Sequence, residues 1–544
     1  MGRSLVALWV CLAVAWAPLA MAGCGAVGRS APDLTLAASD AFASLGPLVE
    51  RLARQNGYRV EITWLGSVDI MLALREPACP YDAVWPAHSA WLDLGDAAFG
   101  RLRHVESIVR SPLVWGVRRG RAEALGLLGR EVAIGELLGL VAEGRLRLAV
   151  ADAARSHVGA MAALAALASR AGAQGPLTAE SLAAPGVGGA LAGLYPPGSE
   201  APPGAGWLLD AYLAAPEAYD GMVNAEALLV VANQELVRRG LEPLVALYPL
   251  GGLAVLDGPL AYVDRGEPRK ERAFLDLQAG LLGEEGGRAA RLAGWRTGTP
   301  GLAAGGPDGP LLDPAWQIDL GRRIVPLALP GAEVLRGALA LAQRAVRAPI
   351  LTVYVLDTSL SMAGEGQRGL EEAMAALLGA GGAAAGWMPI GPRDTTAVIA
   401  FGAGPTEPWI VRGDAPAPLA ALLERLRAEV PAGHSDLYSP LIAALRLVGE
   451  RAADPAASRA AIILVTDGQG RSGADLRLLR RAWEEAPRRV PVQVVLVGAG
   501  VRGEVNGIAA LTGGGVYEGA AAWTAALRAA WWGVPAAPHS YSDD

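Results

Sequence analysis

Oxygen-bearing side chains follow apolar, strand-like runs in the second half of the sequence. They are Asp357, Ser359, Ser361, Ser435 and Asp467. The runs 351–356 and 461–465 are apolar at nearly every position, which is typical of parallel strands buried on both faces. Because the carboxyl ends of such strands meet at one edge of a sheet, we expect these side chains to converge there. Neutral hydroxyls with only two carboxylates are hard ligands that suit Mg²⁺ or Mn²⁺, so the pattern predicts a divalent-metal site.

The same residues have a simpler interpretation, in which Asp357 and Asp467 only cap the turns that follow buried strands. A single Asp-x-Ser-x-Ser motif, here residues 357–361, is compatible with either interpretation. Three polar loops in the required order favour the metal site. A site of this kind can still serve architecture rather than recognition, because fold and function are separable.

Further predicted elements surround these motifs and complete the pattern of one domain. They are strands at 397–402 and 409–411, a helix up to about residue 451, a strand at 492–498, and a helix end with a strand within 508–517. Taken in this order, the motifs and elements resemble the von Willebrand factor type A domain over residues 346–532. The resemblance implies a doubly wound, mostly parallel, Rossmann-like α/β fold.

The resemblance also implies how the metal site works. In that family the three hydroxyls bind the ion directly, the acids often act through water, and a partner protein's carboxylate fills the open coordination position. The expected ion is Mg²⁺, with Mn²⁺ or Ca²⁺ as alternatives. This sequence departs from the family at Ser435, where Thr is usual, and at His434, where Gly is usual.

The first half of the sequence alternates strand-like and helical segments, which favours an α/β sheet. Predicted strands cover 34–38, 60–64, 81–85, 146–150 and 228–232, and predicted helices cover 42–54 and 159–170. With Ala37-Ala38-Ser39, Leu65-Gly66-Ser67 and the run 151–160, this pattern resembles the two-lobed periplasmic-type solute-binding proteins over residues 33–298.

That resemblance implies a cleft between the lobes in which ligands meet strand ends and helix N-termini. Ser39, Ser67 and Ser156 fall at such places, so the sequence predicts that they approach one another and hold a small solute or anion. Each is also a favourable helix N-cap, and one residue can do both. Both interpretations stay open at this point.

The N-terminus predicts export. Arg3 precedes the apolar run 5–20, and small residues lead to Cys24, so residues 1–23 have the form of a signal peptide. The Ala-Gly-Cys sequence resembles the bacterial lipobox, which implies lipidation at Cys24 and a tether at 24–32. A plain signal with an incidental Cys and an uncleaved anchor helix are the alternatives. We expect an extracytoplasmic protein held at the cell membrane by its lipid, because no later apolar run approaches the ~20 residues of a membrane span.

Composition excludes several classes of function. The 544 residues carry 47 basic and 54 acidic side chains, a formal charge of −7, which disfavours nucleic-acid binding. Of the three cysteines, Cys11 lies in the predicted signal peptide, which leaves two and excludes a disulfide framework. The five histidines show no ligand spacing, which excludes a Cys/His zinc site. The Gly/Pro-rich stretch 299–314 opens a predicted linker at 299–345, and residues 533–544 form a predicted flexible tail.

These features are compatible with three functions from different classes. The first is a lipid-anchored binding protein that recognises a protein partner through the metal site. The second is the receptor of a solute transport system, with an anion as one candidate solute. The third, a Mg²⁺-dependent hydrolase that uses Asp357, is rejected because the second acid of haloacid-type enzymes is Ser359 here, and the only lysine is Lys270. We therefore expect no enzyme activity.

Overall fold

The computed structural model describes most of the chain from residue 32 to residue 518. The described residues are 32–76, 79–173, 175–195, 201–250, 253–297, 312–319, 322, 324, 327–346, 349–378, 390–402, 404–451, 459–469, 476–497 and 501–518. The predicted signal peptide, Cys24 and the predicted tail 533–544 lie outside this set. Among the described residues, no helix is long and apolar enough to cross a membrane.

The strands of the first domain form two separate sheets. In chain order they are β1 Leu34–Ser39, β2 Val60–Leu65, β3 Ala83–Trp85, β4 Leu102–Ser107, β5 Ser111–Arg118, β6 Leu148–Ala149, β7 Gly221–Ala225, β8 Leu244–Leu247, β9 Val255–Leu256 and β10 Pro259–Val263. One sheet has the order β2-β1-β3-β10-β4, and the other has the order β6-β7-β5-β8, with β9 paired to β5. The chain passes from the first sheet to the second between β4 and β5 and returns between β9 and β10. This arrangement confirms the two-lobed fold.

Helices cover the two sheets of this domain. They are α1 Gly46–Gln55, α2 Ser67–Leu74, α3 Ala90–Asp96, α4 Arg119–Ala124, α5 Ile134–Ala142, α6 His157–Ala171, α7 Ala179–Ala183, α8 Ala190–Leu194, α9 Ala205–Ala214, α10 Glu226–Arg238, α11 Pro268–Leu282 and α12 Glu284–Leu292, with short 3-10 helices at Asp40–Leu45, Val187–Gly189 and Pro216–Ala218. The first lobe carries α1, which packs on α11, and the second lobe carries α6, α9 and α10.

One predicted strand is wrong. Residues 228–232 lie inside α10, and the neighbouring strand is β7, which ends just before that helix. Every residue from Glu226 to Asn233 is buried, so the run is apolar on all sides of the helix. A short, fully apolar run fits a buried strand as well as a buried helix, so the sequence alone did not decide between the two elements.

Two segments of the predicted linker pack on the first domain. A 3-10 helix, Pro314–Trp316, contacts β8, and helix α13, Ala332–Val346, lies against α6, α7 and α8. Leu335, Ala338, Leu339 and Ala342 recur at helical spacing and belong to the hydrophobic core of that domain. The connection between the two domains is therefore shorter than the stretch 299–345.

The second domain is one sheet with helices on both faces. Its elements are β11 Ile350–Asp357, α14 Glu365–Leu378, β12 Thr395–Phe401, β13 Trp409–Arg412, α15 Pro416–Arg427, α16 Tyr438–Arg451, β14 Arg459–Thr466, α17 Leu476–Glu485, β15 Val492–Leu496, α18 Arg502–Thr512 and β16 Val516–Glu518, with a 3-10 helix at Leu360–Met362. The sheet order is β13-β12-β11-β14-β15-β16, and only β13 is antiparallel to its neighbour. This confirms the doubly wound, mostly parallel fold.

Alternating side chains of the central strands build two hydrophobic cores. Tyr354 and Leu356 of β11 belong to the core that contains residues of α14 and α15. Val353 and Val355 belong to the opposite core, which contains residues of α16 and α18. Successive side chains of a strand point to opposite faces, so a strand covered on both sides must be apolar throughout. The strands β11 and β14 lie side by side and parallel, which brings their carboxyl ends to one edge.

Candidate functional site

The carboxylate of Asp357 is the centre of a hydrogen-bonded network at that edge. Asp357 is fully buried at the last position of β11. Its Oδ1 accepts the backbone N–H of Ser359 at 2.9 Å, and its Oδ2 accepts the hydroxyl of Ser435 at 2.8 Å and that of Thr466 at 2.6 Å. The three loops predicted to converge therefore meet at one carboxylate.

The hydroxyls around Asp357 retain capacity to accept a further contact. Ser435 is buried and donates its proton to Asp357, which leaves its oxygen lone pairs free for a further contact. The hydroxyls of Ser359 and Ser361 lie 3.0 Å apart and share a hydrogen bond. One donor proton satisfies that bond, so acceptor capacity remains on these oxygens also. Oxygen atoms with unused lone pairs beside a buried carboxylate fit a hard divalent cation.

Asp467 is placed by the third loop. Its backbone carbonyl accepts the N–H of Val501, and its Oδ1 accepts the N–H of Gln469, both at 3.0 Å. Gly468 has φ +72°, and a Cβ there would lie 2.2 Å from the carbonyl oxygen of Val501. Only glycine fits this turn without strain. Asp467 directly follows Thr466, whose hydroxyl donates to Asp357.

An open cleft lies over these residues. Ser359, Ser361, Ser435, Gly468 and Gln469 line it, together with Leu360, Gly433, His434, Val501 and Glu504. His434 is exposed, so the residue that replaces the usual Gly stands at the rim and does not fill the site. Within the described ranges, no group of three or more His, Cys, Asp or Glu side chains could hold a metal ion. A cation at this edge therefore depends on the hydroxyls.

Burial controls the charge of the central carboxyl. Removal of Asp357 from water raises its pKa above the usual value, and the hydrogen bonds from Thr466, Ser359 and Ser435 oppose that rise. A nearby cation would favour the ionised form. The residues thus fit a divalent ion, although the occupancy of the site stays a prediction.

Sequence reasoning did not single out Thr466. It is a hydroxyl residue at the end of an otherwise apolar strand, directly before Asp467. Its position at the end of the strand could have identified it as a site residue, because a side chain at the last residue of a buried strand lies at the sheet edge.

The structure brings two of the predicted solute-binding serines into contact. The Ser67 hydroxyl donates to the Ser39 hydroxyl at 3.4 Å, and both are buried in the first lobe. Ser156 is buried at the N-terminus of α6 in the second lobe, next to Arg155, whose carbonyl accepts the N–H of Val68 at 3.0 Å. The three serines therefore lie near one another where the lobes meet.

Each serine already has a protein partner. Ser39 accepts the N–H of Ala41, and Ser156 accepts that of Gly159, both at 3.4 Å, so these two are helix N-caps. Ser67 accepts the N–H of Ala87 at 3.0 Å. The capping prediction is confirmed for Ser39 and Ser156 and is wrong for Ser67, because Gly66 is the N-cap of α2 and Ser67 is the first residue of that helix. Solute binding by the three serines stays a prediction.

Charged residues beside the serines join the two lobes, and sequence reasoning assigned them no role. Arg155 Nε donates to Asp69 Oδ2 at 2.9 Å, and both side chains are about nine-tenths buried. Asp40 accepts backbone N–H groups of α9. Asp40 and Arg155 are the sequence neighbours of Ser39 and Ser156, and this adjacency was the available signal.

A buried histidine also lies at the lobe interface. Trp91 Nε1 donates to His157 Nδ1 at 3.1 Å, so Nδ1 carries no proton. The proton is then on Nε2, which faces the carbonyl of Val255 at 3.3 Å. Burial lowers the pKa of His157 well below its usual value, and the neighbouring His88, which stacks on it at 5.2 Å, lowers it further. The folded chain therefore holds His157 neutral.

We expect His157 to make the first domain less stable in acid. The unfolded chain takes up a proton at His157 below about pH 6.5 and the folded chain does not, so the free energy of unfolding falls as the pH falls from about 7 to 5. Melting curves of the wild type and of His157→Gln across this range measure the effect. The variant should lose part of the wild-type pH dependence, and parallel curves for the two proteins would contradict the assignment.

Two family models match the chain. Residues 34–296 match the family described as bacterial extracellular solute-binding protein, and residues 352–469 match the von Willebrand factor type A domain. These spans fall within the predicted domains 33–298 and 346–532. The first family is extracellular, which implies an extracytoplasmic location. No curated protein sequence matches the chain.

Solved structures of both kinds are similar to parts of the chain. The periplasmic binding protein AfuA from Actinobacillus pleuropneumoniae is 14% identical over 47% of this chain and 81% of its own, with a TM-score of 0.36. A periplasmic thiamin binding protein is 14% identical over 58% and 96%, with a TM-score of 0.39. A von Willebrand factor type A protein from Catenulispora acidiphila is 19% identical over 34% and 41%, with a TM-score of 0.28.

Proposed function

Because the chain combines an extracellular solute-binding domain with a von Willebrand factor type A domain, we propose that it is an extracytoplasmic, lipid-anchored binding protein that recognises a protein partner through a divalent-metal site. Proteins with these two domains are typically not enzymes, and the proposal assigns no catalysis. One observation supports it most strongly. The hydroxyls of Ser435 and Thr466 and the backbone N–H of Ser359 meet at the carboxylate of Asp357, at the carboxyl edge of the second domain's sheet.

Asp357, Ser359, Ser361, Ser435 and Asp467 would hold the ion, which we propose to be Mg²⁺, with Mn²⁺ or Ca²⁺ as alternatives. When bound, the ion would supply an electrophilic position for a partner's carboxylate. The oxygens that contact Asp357 are the neutral hydroxyls of Ser435 and Thr466, and Glu504 adds a carboxyl group to the lining of the cleft. The exposed side chains of Leu360 and Val501 border the same cleft and leave it open to a partner.

A binding assay in the presence and absence of metal tests the proposal. The chain from residue 25 to 544 is immobilised and exposed to bacterial envelope proteins in Mg²⁺ or in EDTA. We expect a protein to be retained in Mg²⁺ and lost both in EDTA and with the Asp357→Ala variant. If the same protein is retained equally in EDTA and by the Asp357→Ala variant, recognition does not depend on the metal. The Asp394→Asn variant is the control, because Asp394 is a buried carboxylate that binds Gly391 and Ile350 elsewhere in this domain.

A solute-transport receptor is the second candidate, and the match of residues 34–296 to the solute-binding family favours it. Ser39 and Ser67 would then contribute to a ligand site between the lobes. That candidate predicts that small oxyanions stabilise the wild-type protein in a thermal-shift screen, by mass action. The absence of any such shift would favour a scaffold role for the first domain.

We expect Cys24→Ala to abolish membrane attachment. Two or more acyl chains on Cys24 would anchor the protein stably, whereas one chain gives only reversible binding. The variant should appear in the soluble fraction or remain as an unprocessed precursor when cells are fractionated and blotted. Normal processing and membrane partitioning of the variant would exclude lipidation at this residue.

A further inference from the structure

A carboxylate of the first lobe accepts hydrogen bonds from a helix N-terminus of the second lobe. Asp40 follows β1 directly, and its Oδ2 accepts the backbone N–H of Gly206 at 2.8 Å and of Trp207 at 3.2 Å. These are the second and third residues of α9. The cap residue of α9 is Gly204, which has no side chain to bind those N–H groups. Asp40 therefore caps α9 from the opposite lobe.

The fit around this carboxylate is close. Asp40 is buried, with 1% of its surface exposed. A Cβ on Gly204 would lie between 2.0 and 2.2 Å from the carboxylate atoms of Asp40, so the loop packs its backbone directly on the carboxylate. Free N–H groups and the helix dipole make a helix N-terminus a favourable place for an anion. In this domain the group at that position is the carboxylate of Asp40, which belongs to the chain itself.

Other contacts close the lobes around the same place. The Asp69–Arg155 ion pair and the bond from the Val68 N–H to the Arg155 carbonyl both cross between the lobes. A Cβ on Gly66 would lie 2.3 Å from the carbonyl oxygen of Arg155, so the two backbones touch. The lobes are therefore held together by residues of the chain.

We propose that Asp40 is a built-in ligand, whose carboxylate occupies an anion site at the N-terminus of α9 that a free carboxylate or oxyanion would otherwise fill. The first domain then closes on itself, and its anion site is latent. Removal of the side chain creates a site for a small carboxylate such as formate. This inference concerns the first domain and is independent of the metal site of the second.

Rescue by formate tests the latent site. The Asp40→Ala variant of the chain 25–544 should melt below the wild type, and formate at ~100 mM should raise its melting temperature by about 3 °C or more relative to chloride at equal ionic strength. Burial raises the pKa of Asp40 to about 7, although hydrogen bonds from the N–H groups of Trp207 and Gly206 oppose this rise. The melting temperatures are therefore compared at about pH 8, where the carboxylate of the wild type is ionised.

Two controls separate rescue from a general salt effect. The Asp40→Asn variant keeps the shape of the side chain and leaves no room for formate, so formate should affect it no more than chloride does. The wild type should behave in the same way, because its own carboxylate fills the site. The inference is overturned if formate fails to rescue Asp40→Ala, or if formate stabilises the wild type as strongly as the variant.

Hydrogen exchange tests the wild type directly, in case Asp40→Ala does not fold. Backbone amides at the second and third positions of a helix ordinarily lack an intrahelical acceptor and exchange quickly. We expect the amides of Gly206 and Trp207 to exchange at least ten times more slowly than those of Arg269 and Lys270. The latter occupy the same positions of α11, whose cap residue also makes no side-chain hydrogen bond. Equal exchange at the two helices would overturn the inference.

Discussion

Replacement of Asp357 by alanine is expected to abolish the stabilisation that Mg²⁺ gives to the second domain. Asp357 joins Ser359, Ser435 and Thr466, so its removal eliminates both a charge and the common acceptor of the three loops. At a Mg²⁺ concentration about 100 times the dissociation constant, binding adds about 2.7 kcal/mol to the free energy of unfolding. For a domain of this size the melting temperature rises roughly 2–4 °C per kcal/mol.

The expected shift is measured by calorimetric melting of the chain at increasing Mg²⁺. Wild type should show a rise that depends on concentration, and Asp357→Ala should show none. Ser435→Ala and Ser359→Ala should weaken the rise without removing it, because water can replace one neutral donor. Asp394→Asn should lower the melting temperature measured without Mg²⁺ and should keep the rise in melting temperature that Mg²⁺ causes. If millimolar Mg²⁺ or Mn²⁺ does not change the melting temperature of the wild type, the hydrogen bonds around Asp357 serve only to cap turns.

Replacement of Asp69 by alanine should strongly destabilise the first domain. Its carboxylate pairs with Arg155 across the lobe interface, and both side chains are about nine-tenths buried. Loss of one partner leaves a buried charge without compensation, which typically costs about 3–5 kcal/mol. Chemical denaturation of the first domain, followed at its own transition, measures this loss.

Two variants show whether burial is the cause. The surface pair of Glu50 and Arg54 is more than half exposed, so Glu50→Ala should change the free energy of unfolding by no more than about 1 kcal/mol. The double variant Asp69→Leu with Arg155→Met replaces the buried pair by apolar side chains and should recover most of the loss. A small effect of Asp69→Ala, similar to that of Glu50→Ala, would mean that this ion pair does not hold the lobes together.

The second domain could be predicted closely from sequence, for a physical reason. Its strands are continuous apolar runs bounded by polar loops, and parallel strands bring their carboxyl ends to one edge whatever the details of packing. Asp357 and Asp467, although 110 positions apart, were expected near one another on that basis. Thr466 was missed although it is the last residue of β14, because the acid that follows it, Asp467, was the more obvious ligand at the end of that strand.

The first domain was less predictable, because its interface depends on how two lobes meet. Asp40 and Gly206 are 166 positions apart, and their contact depends on the packing of one lobe on the other. Residues 228–232 were assigned to a strand because their apolar run fits two kinds of buried element. The true strand, Gly221–Ala225, contains glycine and asparagine, which are poor strand formers and gave little signal.

Anomalous diffraction from crystals of the chain with Mn²⁺ tests the proposed metal site most directly. Mn²⁺ takes the same hard oxygen ligands as Mg²⁺ and can be located by its own scattering. The account predicts one anomalous peak in contact with the hydroxyls of Ser359, Ser361 and Ser435, and no peak there in Asp357→Ala crystals. A wild-type crystal that contains Mn²⁺ but shows no peak at this edge, or a peak held only by other residues, would contradict it.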